Sequence, residues 1–345
     1  MTSSRLLAVA VGGPRVASVR YRVMAIVPSL EAAGFDVRLR FPVAGGRLAR
    51  LADLLRDTAR PAGEEVFFVH RKTYPPPFAR RLRRKGRAFV FDMDDALDLP
   101  PPGRDFGEAV GLRYRRNFVA TVAQADLVLC GNGELAARVP HGRTAIVPTA
   151  IDTDRFRPGA ARPAEGPVLG WVGHSDNLPY LEALGEPLRE LARRHPGLKL
   201  VVVADRPLEI PGVDVVFRKW RLEEEISCFD GIAVGLMPLE DTPWARAKCA
   251  FKAIQYMALG IPAVASPVGM NRELIRDGVN GFLPADPSGW VAAIDLLLRD
   301  AATTRAVGAR GRDTVEREFS VDRVGRRVAG LCRRVAEARQ SRSGA

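Results

Sequence analysis

Short runs of β-branched and other apolar residues alternate with longer amphipathic stretches along the whole chain. In the first half, Leu6–Val11, Asp36–Arg40, Glu65–His70, Ala88–Phe91, Leu127–Cys130 and Ala145–Val147 read as strands. Val19–Ala33 and Phe106–Ala123 carry helical periodicity between them, and Gly34 stands where a helix C-terminal cap belongs. Arg157–Pro167 is rich in Pro, Gly and Ala and reads as a linker. The rhythm then restarts, with strands expected at Val168–Val172, Leu200–Ala204, Val213–Phe217, Ile232–Leu236, Ala263–Ala265 and Gly281–Leu283. Helices are expected at Asn177–Arg194, Leu222–Phe229, Lys248–Leu259, Met270–Arg276, Trp290–Arg299 and Asp322–Arg339.

Mostly apolar strands separated by helices predict parallel sheets covered on both faces. The expected class is α/β, with two Rossmann-like doubly wound domains facing a cleft. Residues 1–160 would form the first domain and 161–318 the second. Residues 319–345 would supply a C-terminal helix, able to cross back to the first domain, and a basic tail. Ligands in such sheets bind beyond the carboxyl ends of the strands, which makes the cleft the expected active site.

A length of 345 residues and 47% hydrophobic content suit two domains with real cores. The four cysteines and four histidines are isolated from one another, so no zinc site is expected. Neither a cleavable leader nor a membrane span is predicted, which points to a cytoplasmic protein. The net charge is +12, and the densest basic run is Arg80-Arg81-Leu82-Arg83-Arg84-Lys85-Gly86-Arg87. A solvated helix face and peripheral contact with an anionic membrane at its inner face both fit that run. Nucleic acid is not an expected partner, because no aromatic stacking platform or recognition motif accompanies the charge.

Chemistry concentrates between Ile232 and Phe282. Lys248 falls at the expected start of a helix, where a lone cation opposes the helix dipole. Arg246 and Lys252 add two more, and Lys248 and Lys252 would share a face. Such a cluster makes sense if a diphosphate normally occupies that helix end. In the first half, Phe91-Asp92-Met93-Asp94-Asp95 ends a strand, and its carboxylates would repel one another unless something binds them. Two readings compete there: a general-base or metal role facing the cleft, or Asp95 capping the following turn. Gly12 and Gly13 end the first strand in a tight turn, with Arg20 and Arg22 on the next helix and His70 and Arg71 ending a neighbouring strand.

The order of helix, Met-Ala-x-Gly, Pro, strand, Gly, Glu and Asp-Gly-x-x-Gly-Phe resembles glycosyltransferase family 4, a retaining family of the GT-B type. It is carried by Phe251-Lys-Ala-Ile-Gln-Tyr-Met-Ala-Leu-Gly-Ile-Pro262, Gly269, Glu273 and Asp277-Gly-Val-Asn-Gly-Phe282. Ala150-Ile-Asp-Thr-Asp-Arg-Phe-Arg-Pro158 resembles the family's interdomain segment. The resemblance implies a glycosyltransferase that uses a nucleotide-diphosphate sugar as co-substrate, with no required cofactor or metal. It implies donor binding by Gly173, His174, Arg246, Lys248, Lys252, Gln255, Gly269 and Glu273. Acceptor binding would fall to Gly12, Gly13, Arg20, Arg22, His70 and Arg71, with Asp92, Asp94, Asp95 and Lys252 in catalytic roles. The acceptor would be a glycan, a lipid-linked sugar or a small molecule. Two departures stand out: the family's paired glutamates fall here on Ala247 and Gln255, and its Gly-Arg and Lys-Gly pairs are absent from the Gly173-His-Ser-Asp-Asn177 segment. They leave open a non-catalytic nucleotide-sugar or glycan-binding protein on the same fold.

Overall fold

The computed structural model describes residues 4–43, 45–59, 65–83, 87–101, 107–161 and 165–344. Arg84, Lys85 and Gly86 of the basic run, Phe106, and residues 162–164 of the expected linker lie outside the described residues. The chain divides into two compact units. The first takes Met1–Ala150, Ala247–Cys249 and Val321–Ala345, and the second takes Ile151–Arg246 and Ala250–Ser320. The division thus falls at Ala150 rather than near residue 160, and the segment 151–158 sides with the second unit. Ile151 N–H donates to the Phe319 carbonyl at 2.9 Å, and Arg312 donates to the carbonyls of Thr153 (2.7 Å), Ala258 (2.7 Å) and Phe156.

The first unit holds six parallel strands: β1 (Ser4–Val9), β2 (Phe35–Arg40), β3 (Val66–His70), β4 (Ala88–Met93), β5 (Leu127–Cys130) and β6 (Thr144–Ile146). Their order is β2-β1-β3-β4-β5-β6, so the strand order reverses between β1 and β3. β3 and β4 are buried along their whole length, as their unbroken apolar runs require. Helix Val321–Gly344 completes this unit: Val324, Val328, Ala329, Cys332 and Ala336 join a core with Leu6, Ala8, Phe68 and Val90. Gly325 makes the approach possible, since a Cβ there would sit 2.2 Å from the Ser29 hydroxyl. Arg339 pairs with Asp126 at 3.0 Å, and the same Asp126 oxygen accepts the Phe89 N–H at 2.9 Å.

The second unit holds β7 (Val168–Val172), β8 (Lys199–Ala204), β9 (Asp214–Lys219), β10 (Val234–Met237) and β11 (Ala263–Ala265), all parallel, in the order β11-β10-β7-β8-β9. Its switch point lies between β7 and β10. Tyr256 spans that junction. Its ring occupies the space a side chain on Gly235 would need, and its hydroxyl donates to the Gly170 carbonyl at 3.2 Å and accepts the Val172 N–H at 3.1 Å.

Several expected elements change form. The helix expected over Val19–Ala33 is three pieces, Ala17–Arg22, a 3-10 turn Met24–Ile26 and Val27–Ala32; Pro28 has no N–H to continue the ladder. Asn177–Arg194 likewise separates into Leu178–Glu182 and Gly185–Arg194, because Pro187 cannot donate back to Ala183. Leu222–Phe229 contains two 3-10 turns, and Gly281–Leu283 is no strand: Phe282 makes a single bridge to Val264. Helix Arg47–Thr58 was not expected, because its faces are inverted. Asp53, Asp57 and Thr58 are buried while Leu48, Leu51 and Leu55 are exposed. The interior tolerates Asp57 because Lys72 Nζ (2.5 Å) and the Tyr74 hydroxyl (3.0 Å) donate to it. Asp53 accepts the Val43 N–H at 3.0 Å and Arg56 at 2.8 Å.

Candidate functional site

At the switch point of the second unit, β7 ends in Gly173 and His174, and helix Phe251–Ala258 starts beside them. Lys252, in the first turn of this helix, runs along the chain at Gly173. A Cβ on Gly173 would lie 2.5 Å from Lys252 Cε, and Lys252 Nζ sits 5.2 Å from the centre of the Trp171 ring. The glycine therefore makes room for the lysine, and the indole face holds a cation at the mouth of the sheet. Gln255 is one turn further along the same helix face and is buried. His174 is largely exposed, 3.8 Å from Asp205 and 3.3 Å from Asp176.

Asp205, at the end of β8, was not singled out from the sequence. Its two carboxylate oxygens accept the Ser175 N–H at 2.7 Å and the Ser175 hydroxyl at 2.8 Å. Burial pushes its pKa up, but the Ser175 donors outweigh that effect and hold it below the usual value. The pair fixes the turn after β7. Its only sequence signal was an aspartate directly after an apolar strand, adjacent to β7.

Lys248 does not open the helix as expected. The helix begins at Phe251, three residues later than predicted, because Ala250 before it takes a left-handed conformation, φ 53°. Lys248 therefore precedes the helix, and residues 247–249 belong to the first unit. Arg246 is held by Asp241 in a two-pronged pair of 2.5 and 3.0 Å. Gly269 is also left-handed, φ 51°, with the Arg246 carbonyl 2.2 Å from where a Cβ would be, so only glycine fits. Glu273 is exposed on the short helix Asn271–Leu274.

In the first unit the carboxyl ends of β1, β3 and β4 carry Gly12-Gly13, His70-Arg71 and Asp92–Asp95. The three aspartates have separate surroundings. Asp92 is buried and accepts Arg22 Nη2 at 2.5 Å, Arg22 Nε at 3.0 Å and His70 Nδ1 at 2.7 Å. Burial would raise its pKa; the Arg22 guanidinium and the His70 hydrogen bond hold it down at about 2. Arg22 also donates to the Val147 carbonyl at 3.0 Å and Thr149 Oγ1 at 3.3 Å. Arg22, His70 and Asp92, expected to touch substrate, are thus buried residues that tie β3 and β4 to the first helix.

Asp94 and Asp95 remain nearer the surface, both paired with Arg71 at 3.3 and 2.6 Å. Arg71 adopts a left-handed backbone, φ 58°, uncommon for a side chain of its size, and its N–H donates to the Asp92 carbonyl at 2.8 Å. Burial raises the Asp95 pKa, and Asp94 adds to this against the opposing charge of Arg71. Through residue 101 Asp95 is followed by a turn rather than a helix, with Leu99 N–H donating to the Ala96 carbonyl. Gly12 faces Val16, whose methyl lies 2.7 Å from a would-be Cβ, while Gly13 is open. Arg20 lies over the Tyr21 ring at 5.0 Å.

Asn132 also escaped the sequence reading. Its carbonyl oxygen caps helix Gly133–Ala137 through the Leu135 N–H at 2.9 Å, and its amide donates to the Ala247 and Lys248 carbonyls at 3.1 and 3.0 Å. Cys249 adds a thiol contact to the Asp94 carbonyl at 3.3 Å. Gly131 leaves the space for it, since a Cβ there would be 2.2 Å from the Cys249 sulfur. Among the described residues no group of three or more His, Cys, Asp or Glu could hold a metal ion, and no helix is long and apolar enough to cross a membrane.

Residues 166–300 match the family model "Glycosyl transferases group 1". The D-inositol 3-phosphate glycosyltransferase of Nocardia farcinica is 26% identical over 252 residues, covering 62% of this chain and 52% of that protein. The same-named protein of Frankia alni is 29% identical over 246 residues, covering 61% and 58%. The chain spans little more than half the length of these relatives. In structure it is similar to a sucrose-phosphate synthase from Thermosynechococcus elongatus (TM-score 0.73, 17% identity, 97% of this chain and 100% of that one). It is also similar to Anabaena Alr3699/HepE in complex with UDP and glucose (TM-score 0.66, 14% identity, 95% and 99%).

Proposed function

From a chain that is family-4-like in its second unit and GT-B in fold throughout, we propose a glycosyltransferase that moves a sugar from a nucleoside diphosphate to a hydroxyl acceptor, with retention. The observation that carries this reading is Lys252, lying along Gly173 and Trp171 at the switch point of the donor unit. A diphosphate seated there meets the lysine and the N–H groups of the first turn of helix Phe251–Ala258. These donors stabilise the charge that develops on the leaving group, so the chemistry needs no protein nucleophile and no cofactor. Gln255, one turn along, accepts a hydroxyl of the nucleotide ribose, and Glu273 orients the sugar. The relative crystallised with UDP and glucose supports this class of donor.

The first unit receives the acceptor, a glycan, a lipid-linked sugar or a small molecule. Gly13, Arg71, Asp94 and Asp95 are its contact residues, and Arg22, His70 and Asp92 are their support. Ala247 and Gln255, standing where the family places glutamates, favour one second reading: a nucleotide-sugar binder without turnover.

Thermal melting against UDP, GDP, ADP and TDP tests the donor site. At about 100 times its dissociation constant, a nucleotide that binds the folded state adds ~2.7 kcal/mol. One nucleotide raises the midpoint, and Lys252→Ala abolishes that rise. No rise with any nucleotide overturns the reading. Slow hydrolysis of the matching nucleotide sugar separates the enzyme from the binder, which shows the melting shift and no hydrolysis.

A further inference from the structure

We propose that the outer face of helix Arg47–Thr58 docks this protein onto an anionic lipid bilayer. The helix is built inside out. Its carboxylates, Asp53 and Asp57, face inward: Asp53 accepts from the Val43 N–H and Arg56, and one oxygen of Asp57 accepts from Lys72 and the Tyr74 hydroxyl. Its leucines face outward: Leu48 is 84% exposed, Leu51 45% and Leu55 48%, with Val43 just before the helix at 48%. Spaced three and four residues apart, the leucines form one stripe along a helix about 18 Å long. Scattered exposed leucines are ordinary, but a stripe with all its acidic neighbours turned inward is not.

Charge selects the occupant. Arg47, Arg50 and Arg56 are the charged residues among the exposed positions of this helix, and no carboxylate is exposed along it. The short helix Pro76–Ala79 packs against it, and the chain running on from there exposes Arg80, Arg81 and Arg83. An apolar stripe bordered by arginines matches a bilayer interface, with leucines in the acyl boundary and guanidinium groups at anionic headgroups. A second copy of the chain fits poorly, because pairing the two stripes would bring two rows of arginine together. Nucleic acid offers the leucines nothing.

The test is co-sedimentation of the full chain with vesicles of phosphatidylcholine alone and of phosphatidylcholine mixed with phosphatidylglycerol. The expected result is binding to the mixed vesicles, weakened by salt. Leu48→Glu with Leu51→Glu should lower the bound-to-free ratio about tenfold or more, since burial of both side chains is lost. Arg47→Glu with Arg50→Glu should lower it by a similar factor through headgroup repulsion. Both variants change exposed positions, so melting temperatures and the nucleotide-induced rise should match the parent protein; that control keeps this result separate from the donor-site reading. Absence of wild-type binding to mixed vesicles overturns the proposal. So does binding that the leucine pair leaves unchanged, which would be plain arginine adsorption. A dimer, seen by light scattering, that the leucine pair dissociates while vesicle binding persists would assign the stripe to self-association instead.

Discussion

Arg22, Asp92 and His70 concentrate charge where the first unit has least water. Removing one partner leaves the other charge buried and unpaired, so Arg22→Met should cost about 3–5 kcal/mol of stability, read as a fall in the denaturation midpoint. Asp92 lies below its ordinary value of 3.8, at about 2. A depressed carboxylate stabilises the fold fully above its unfolded value, and that stability is lost as pH falls through the folded value. Melting followed from neutral pH down to about 2 should therefore show a loss near ~2 kcal/mol from this group, absent from Asp92→Asn. The sequence marked the aspartate run as chemically dense. It did not reveal which of the three aspartates is spent internally, because the partner that decides this, Arg22, is 70 positions away in the chain. Arg71 was legible as a strand-end residue, but not its left-handed backbone, which no local pattern encodes.

Asn132 joins two elements at once. Asn132→Ala removes the cap of helix Gly133–Ala137 and the amide that donates to the Ala247 and Lys248 carbonyls, a loss of roughly 2–3 kcal/mol measurable by denaturant titration. Gly235→Ala makes the complementary change in the second unit. It forces a methyl into the Tyr256 ring and should lower stability by about 1–3 kcal/mol, with the Val172–Tyr256–Gly170 hydrogen bonds disturbed. Strands were the most readable elements, since an apolar run between polar turns leaves few alternatives; Leu127–Cys130, Val168–Val172 and Ala263–Ala265 match residue for residue. Helices were less readable where prolines interrupt them, and unreadable at Arg47–Thr58, whose buried face is acidic. The late start of helix Phe251–Ala258 depends on the conformation of Ala250, a residue with no intrinsic preference for it.

The tandem α/β design follows from the twice-repeated rhythm of strands and helices, whereas the interleaving of the chain between its two units does not. The return of Val321–Ala345 to Met1–Ala150 was open as an option in the sequence, but the assignment of Ala247–Cys249 to that unit was not. A chain ending at Ser320 should expose Leu6, Val66 and Phe68, now covered by Val324, Val328 and Cys332, and should aggregate or bind a hydrophobic dye while nucleotide still protects the second unit. The same arrangement orders events during synthesis. The second unit's residues all emerge from the ribosome before the last helix does, so it can close its core while the first unit is still missing one wall. The first-made half is then the last to be finished. It waits, with the apolar face of its sheet exposed, through the translation of the entire second unit, and that interval is when it is most open to aggregation.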